Sequence, residues 1–177
     1  MRFITSNPNK LHEIRIHLPD IEQLELDLPE IQSLDPQEII RAKLEAARAY
    51  TSEDLIVEDT SLTIDAFGKL PGPFIKYFLA ELGAEGIARL VAGYSEDSRA
   101  TACTIIGYAS GTSVRFFEGR VEGRIVQPQG ETRFGWDPIF QPNCYDRTYA
   151  QLKEEKHTMS HRALAVRELV SYLRSGA

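Results

Sequence analysis

Two long β-rich segments, residues 99–109 and 113–126, meet at Gly111-Thr112, and this pairing constrains the fold more than any other feature. A glycine and a small polar residue between two runs rich in β-branched and aromatic side chains read as a hairpin. Each arm is about twice the length of an ordinary strand, and a hairpin that long needs a larger sheet and covering helices. The rest of the chain supplies both. Residues 2–5 read as a short buried strand. A helix follows from about Asn9, with Leu11, Ile14 and Leu18 on one face. Leu24, Leu26 and Leu28 alternate with polar residues, the pattern of a half-buried strand ending at Pro29-Glu30. Asp35 can cap the next helix, Pro36 suits its first position, and Glu38 completes a capping box. Ile40, Leu44 and Ala47 give that helix its core face. Leu55-Ile56-Val57 is a short apolar strand that runs into Glu58-Asp59-Thr60. After the turn Leu70-Pro71-Gly72-Pro73, residues 74–82 and 85–92 read as helical, punctuated by Gly83 and Gly93. The last helix starts at Ser160, with Met159 and Leu164 placed as a hydrophobic staple; Leu169, Val170 and Leu173 carry its buried face onward. The expected fold class is α/β (mixed α+β), a mixed sheet flanked by helices.

A chain of 177 residues is expected to make one domain, at most with two lobes. Its net charge of −6 argues against a duplex-binding surface, which needs a basic face. A small phosphate ligand is still compatible, since a few local lysines and a metal ion can supply a positive field. Cys103 and Cys144 lie far apart with no metal-type spacing, so a buried thiol and a loop thiol in a reducing compartment are expected. The N-terminus turns polar at once, and no apolar run is long enough to span a bilayer, so the expected location is cytoplasmic.

Four groups of residues can carry chemistry. The loop Thr5-Ser6-Asn7-Pro8-Asn9-Lys10 joins a strand to a helix and offers hydroxyls, amides, helix N–H groups and one ammonium to an anion. It is also compatible with an ordinary capped turn, since no Walker-type glycine pattern is present. Glu30 and the pair Glu58-Asp59 follow strands, and carboxylates there can converge on a hard cation such as Mg²⁺. Adjacent residues on an extended chain point to opposite faces, so one acid can hold metal while the other orients or deprotonates water. Lys43, Lys76 and Lys156 each read singly as surface lysines. His161 and Arg162 occupy a helix first turn, where cations oppose the macrodipole, a local misfit typical of functional sites. Finally, Phe134-Gly135-Trp136-Asp137-Pro138-Ile139-Phe140 sets rings that can stack on a flat base beside a carboxylate that can read its edge. Trp136 and Phe140 also fit a packed turn.

Taken in order, these motifs together with Asp27-Leu28-Pro29-Glu30, Val57-Glu58-Asp59-Thr60, Leu70-Pro71-Gly72-Pro73-Phe74-Ile75-Lys76 and Ser160-His161-Arg162 resemble the inosine triphosphate pyrophosphatase family, the non-canonical purine NTP pyrophosphatases. The resemblance covers essentially the whole chain. It implies hydrolysis of ITP, dITP and XTP to the monophosphate and pyrophosphate with Mg²⁺. It also implies a homodimer whose protomers have a long mixed sheet and two lobes flanking a cleft. Carried over by motif, Thr5, Ser6, Asn7, Asn9 and Lys10 bind the triphosphate, with Lys43, Thr60 and Lys76 nearby. Glu30, Glu58 and Asp59 hold Mg²⁺, and Asp59 is the base for the attacking water. Phe134, Gly135 and Trp136 flank the base, while Asp137, Lys156, His161 and Arg162 read its edge. One departure is Ser61, where many bacterial members carry glycine. The alternatives are a Maf-like pyrophosphatase that prefers pyrimidines, or a purine nucleotide sensor without activity. Besides a second copy of the chain, the expected partner is a small nucleotide, with neither nucleic acid polymer nor membrane.

Overall fold

The computed structural model describes residues 1–131 and 134–176. Among them, seven strands form one sheet: β1 (Arg2–Ile4), β2 (Glu22–Leu24), β3 (Leu55–Ile64), β4 (Pro71–Gly72), β5 (Arg99–Ser110), β6 (Ser113–Ile125) and β7 (Phe140–Pro142). The order is β2-β1-β3-β5-β6-β7, with β4 paired to β3. β1 runs parallel to β2 and β3, and every other pairing is antiparallel, so the sheet is mixed as expected. The hairpin closes on the pair Ser110↔Ser113, with Gly111 at φ 53° in the turn.

The helices are α1 (Pro8–Arg15), α2 (Pro36–Ala47), α3 (Ile75–Tyr94), α4 (Tyr149–Leu152), α5 (Lys156–Met159) and α6 (His161–Ser175). α1 and α6 cover one face of the sheet, burying Leu11, Ile14, Ala165, Val166 and Leu169 against Phe3, Ile56 and Ile106. α2 covers the other, burying Ile40, Leu44 and Ala47 against Ile4, Leu55, Val57 and Ile105. A further core gathers Leu62, Ile64, Ala100 and Ala102, from the far ends of β3 and β5, with α3, Trp136, Phe140 and Tyr149. On β3, Glu58, Asp59, Thr60 and Ser61 therefore lie between two apolar ends of one continuous strand.

Four expectations need correction. The strand expected over Leu24, Leu26 and Leu28 is β2, which ends at Leu24; the other two leucines pack against the α2 core from irregular chain. Glu58-Asp59-Thr60 is not a strand end, because β3 continues to Ile64. Asp35 caps α2 by accepting from Gln37 N at 2.8 Å, but Glu38 does not close a capping box. Its carboxylate instead accepts from Ser33 Oγ at 2.7 Å, and that hydroxyl accepts from Asp35 N at 3.0 Å, so Ser33 relays the bond. Gly83 does interrupt α3, at φ 65° and ψ 172°, whereas Gly93 lies within it.

Candidate active site

Asn7 organises the first part of the site. Its side chain accepts from Asn9 N at 3.0 Å and Lys10 N at 3.3 Å, capping α1, while its own N–H donates to Thr5 Oγ1 at 3.1 Å. The capped turn aims Lys10 across the sheet, and its Nζ lies 2.9 Å from Glu58 Oε1.

The alternation along β3 sends Glu58 and Thr60 towards α6 and Asp59 towards α2. Glu58 is 5 % exposed and heavily engaged. Arg162 donates to it from Nε at 2.7 Å and Nη2 at 3.0 Å, a bidentate geometry. The Arg162 and Lys10 charges hold the Glu58 carboxyl far below the usual range, overcoming its desolvation. Arg162 Nη1 also pairs with Glu13, whose other oxygen accepts from Lys156 Nζ at 2.9 Å; Lys156 in turn donates to Asp137 Oδ2 at 2.7 Å. The chain Lys10, Glu58, Arg162, Glu13, Lys156, Asp137 thus alternates three cations with three carboxylates, a balanced set. Burial is the largest influence on Glu13, but the charges of Arg162 and Lys156 together outweigh it and lower its pKa. For Asp137 burial prevails over Lys156, and its pKa is raised. Phe134 lies flat against this chain, 4.7 Å from Lys156 Nζ and 5.4 Å from the Arg162 guanidinium carbon.

His161 stacks with Trp136 at 5.2 Å and 29° and with Tyr149 at 5.7 Å and 20°. Burial, with the charges of Arg162 and Lys156, pushes its pKa well below the ordinary value, so it is neutral near pH 7.

Asp59 stands apart. It is 8 % exposed, and its Oδ2 is buried without a hydrogen-bond partner among the described residues. Desolvation raises its pKa to about 6, against the pull of Lys10 and Lys43. Glu30 sits across the mouth, accepting from Lys43 Nζ at 2.5 Å and paired with Lys76.

One cleft is lined by Asn7, Asn9, Lys10, Glu30, Lys43, Asp59, Thr60, Lys76, Phe134, Gly135, Trp136, Asp137, His161 and Arg162. An adjoining recess adds Thr5, Ser6 and Glu58. Lys156 does not face the main cleft; it lines a hollow behind Phe134, with Glu13 and Asp137. The structure therefore gathers every residue singled out from the motifs, with Lys156 one layer behind. Glu13 was not singled out. It reads in sequence as a solvated residue of α1, and its partners are 143 and 149 residues away, so no local sequence signal marks it; the structure buries it at 8 % exposure.

The donors that could hold a metal ion are all oxygen, the set that suits Mg²⁺. Among the described residues no three His, Cys, Asp or Glu side chains form a cage. That fits an ion bound by one or two carboxylates together with substrate phosphates. The orphaned Oδ2 of Asp59 is the observation that favours such a guest.

Known proteins share this fold. The model of the Ham1 family matches residues 1–172. The structure of the Staphylococcus aureus Ham1 protein is similar at 26 % identity and TM-score 0.78, over 100 % of both chains. A HAM1 protein from Coxiella burnetii, 24 % identical over 99 % of each chain, shares the fold at TM-score 0.83. A nucleoside-triphosphatase / dITP/XTP pyrophosphatase from Mycobacterium abscessus is 26 % identical at TM-score 0.68, over 98 % of this chain and 99 % of that one. Motif order, sheet topology and a match running nearly end to end converge: this chain belongs to the Ham1 family.

Proposed function

We propose that the protein hydrolyses non-canonical purine nucleoside triphosphates, ITP, dITP and XTP, to the monophosphate and pyrophosphate. The observation that carries this reading is the placement of Asp59. A buried carboxylate with one unpaired oxygen opens into a cleft with lysines at one end and a stacking surface at the other. The related pyrophosphatase from Mycobacterium abscessus supports the same assignment.

In this reading Lys10, Lys43, Lys76 and the α1 N-terminus bind the triphosphate, and Phe134 and Trp136 flank the base. Water adds to the α-phosphorus, the bond from that phosphorus to the bridging oxygen breaks, and pyrophosphate leaves. Asp59 takes the proton from the water. Glu58 cannot share that role while Arg162 and Lys10 saturate its oxygens; it holds the cations in place. Glu30 and Asp59 are the residues that would hold Mg²⁺, which when bound neutralises phosphate charge; Glu58, expected from the resemblance as a third ligand, has both oxygens engaged by Arg162 and Lys10. Release of Glu30 from its two lysines would free both them and the carboxylate.

Discrimination for a 6-oxo purine follows from the cationic side of the base pocket. An oxygen accepts from a fixed donor, whereas the amino group of adenine leaves that donor unpaired. The protein is proposed to act as a homodimer in the cytoplasm; among the described residues no helix is long and apolar enough to cross a membrane.

The test is pyrophosphate release with ITP, dITP, XTP, GTP, ATP, CTP and UTP, with Mg²⁺ and with excess EDTA. Fast turnover of ITP and XTP and slow turnover of ATP, lost in EDTA, is expected. A pyrimidine preference would point to the Maf-like alternative. Tight binding without turnover would point to a sensor.

A further inference from the structure

α6 begins directly over the sheet, and the strand beneath it offers no side chain at the point of contact. A Cβ placed on Gly119 of β6 would lie 1.9 Å from the His161 carbonyl oxygen, 2.5 Å from Ala165 N and 2.8 Å from Leu164 Cβ. Two of these are backbone atoms of the first helical turn, so no change of rotamer relieves the overlap. The strand register puts Gly119 in one cross-strand row with Thr104 of β5 and Thr60 of β3. Thr104 is fully buried, and its Oγ1 lies 3.1 Å from Thr60 Oγ1. Arg162 Nη2 donates to the same Thr60 oxygen at 3.0 Å.

The hydrogen-bond count fixes the direction of each contact. Thr60 has one hydrogen, and Glu58 Oε1, 3.3 Å away, can only accept. Thr60 therefore donates to Glu58, and Thr104 and Arg162 both donate to Thr60, filling its two lone pairs. The row starts from a position with no side chain and runs through two hydroxyls. The helix rests on its open end, and the second residue of that helix reaches along it to the strand that bears Asp59.

From this geometry we propose that Gly119 and Thr104 are positioning residues for the cleft. Gly119 sets the height of the first turn of α6 above the sheet, and so the placement of His161 and Arg162. Thr104 fixes the hydroxyl of Thr60 that receives Arg162. A side chain at Gly119 would lift the turn as a unit, drawing His161 from its ring partners and Arg162 from Glu58. Loss of the Thr104 hydroxyl would leave the helix in place and disturb only the Arg162 end. The kinetic part of this inference rests on the hydrolase reading above; the optical part does not.

Trp136 is the chain's one tryptophan, and it stacks with His161, so intrinsic emission reports the position of that ring without substrate. Gly119→Ala is expected to change that emission and to lower kcat/KM for ITP by about 10²-fold, the scale for an ångström of misplacement. Leu169→Ala, buried farther along α6, serves as the comparison. It should lower the melting temperature while leaving emission and kcat/KM near wild type. Thr104→Val should keep the wild-type emission and lose about tenfold in kcat/KM, with Thr104→Ser restoring most of it. A folded Gly119→Ala with wild-type emission and kinetics overturns the proposal, as does Leu169→Ala shifting both readouts equally. Should Gly119→Ala not fold, the Thr104 pair decides: wild-type kinetics in Thr104→Val would overturn it. If the wild-type chain hydrolyses no nucleotide, the function proposed above fails, and the emission of Gly119→Ala still decides the role of Gly119.

Discussion

At the scale of single residues, one buried side-chain atom of the site, Asp59 Oδ2, has no hydrogen-bond partner among the described residues. Asp59 keeps an unpaired buried oxygen, so Asp59→Asn should retain the fold and nucleotide affinity while kcat falls by roughly 10²-fold or more, the usual scale for a general base. Turnover of ITP by the folded variant at near the wild-type rate would remove Asp59 from that role. Lys156 behaves differently. The family resemblance placed it at the edge of the base, but its Nζ is held by Glu13 and Asp137. Lys156→Met would leave two buried carboxylates short of a cation, a loss of about 3–5 kcal/mol of stability on the scale of broken buried pairs. It should also narrow the ITP-to-ATP ratio of kcat/KM, because Arg162 and Phe134 lean on the same group. Urea titration beside the substrate panel separates the two effects; an unchanged ratio in a destabilised protein would leave Lys156 a purely structural role. Glu13 shows why part of the site was illegible: helical periodicity places it beside Ile14, and only residues 156 and 162, folded back from the far end, explain its burial.

At the scale of elements, what the sequence made legible was local. The hairpin, the break at Gly83 and the Asp35 cap each depend on a few neighbouring residues and were read correctly. The length of β3 was not legible, because Glu58-Asp59-Thr60-Ser61 looks like solvated chain after an apolar run. Its burial is made possible by Arg162, 104 residues away from Glu58, and by pairing with β5. The early end of β2 was missed because Leu26 and Leu28 pack on the α2 core without needing a ladder. α3 offers a check on the local reading. Gly83 has open space around its missing Cβ but a backbone conformation nearly exclusive to glycine. Gly83→Ala should therefore cost about 1–3 kcal/mol from backbone strain alone. Gly93→Ala, equally open and inside the helix, should stabilise by about 0.4–1 kcal/mol. Chemical denaturation of both variants tests the pair, and equal effects would mean the kink imposes no strain.

At the scale of the whole molecule, the buried charges set the response to acid. Glu58 and Glu13 are held below their ordinary value of 4.5, so they stabilise the fold above that value. Their contribution fades as pH falls through 4.5 towards their folded values. Asp137, held above its ordinary 3.8, works in the opposite sense and offsets part of the loss. The urea midpoint should thus fall as pH drops from about 5 to about 3, with a net uptake of protons on unfolding. A flat midpoint over that range would show that the cations do not stabilise these carboxylates. The balance of three cations against three carboxylates has a different consequence, for ionic strength. Apart from Lys10, which is partly exposed, that set is shielded from solvent ions, whereas Lys76, with a side chain about half exposed, faces them. Rising salt should therefore loosen the grip on every triphosphate together, increasing KM for ITP and ATP in parallel. The preference between the two bases should stay constant, so the molecule would trade affinity with its ionic surroundings without trading selectivity.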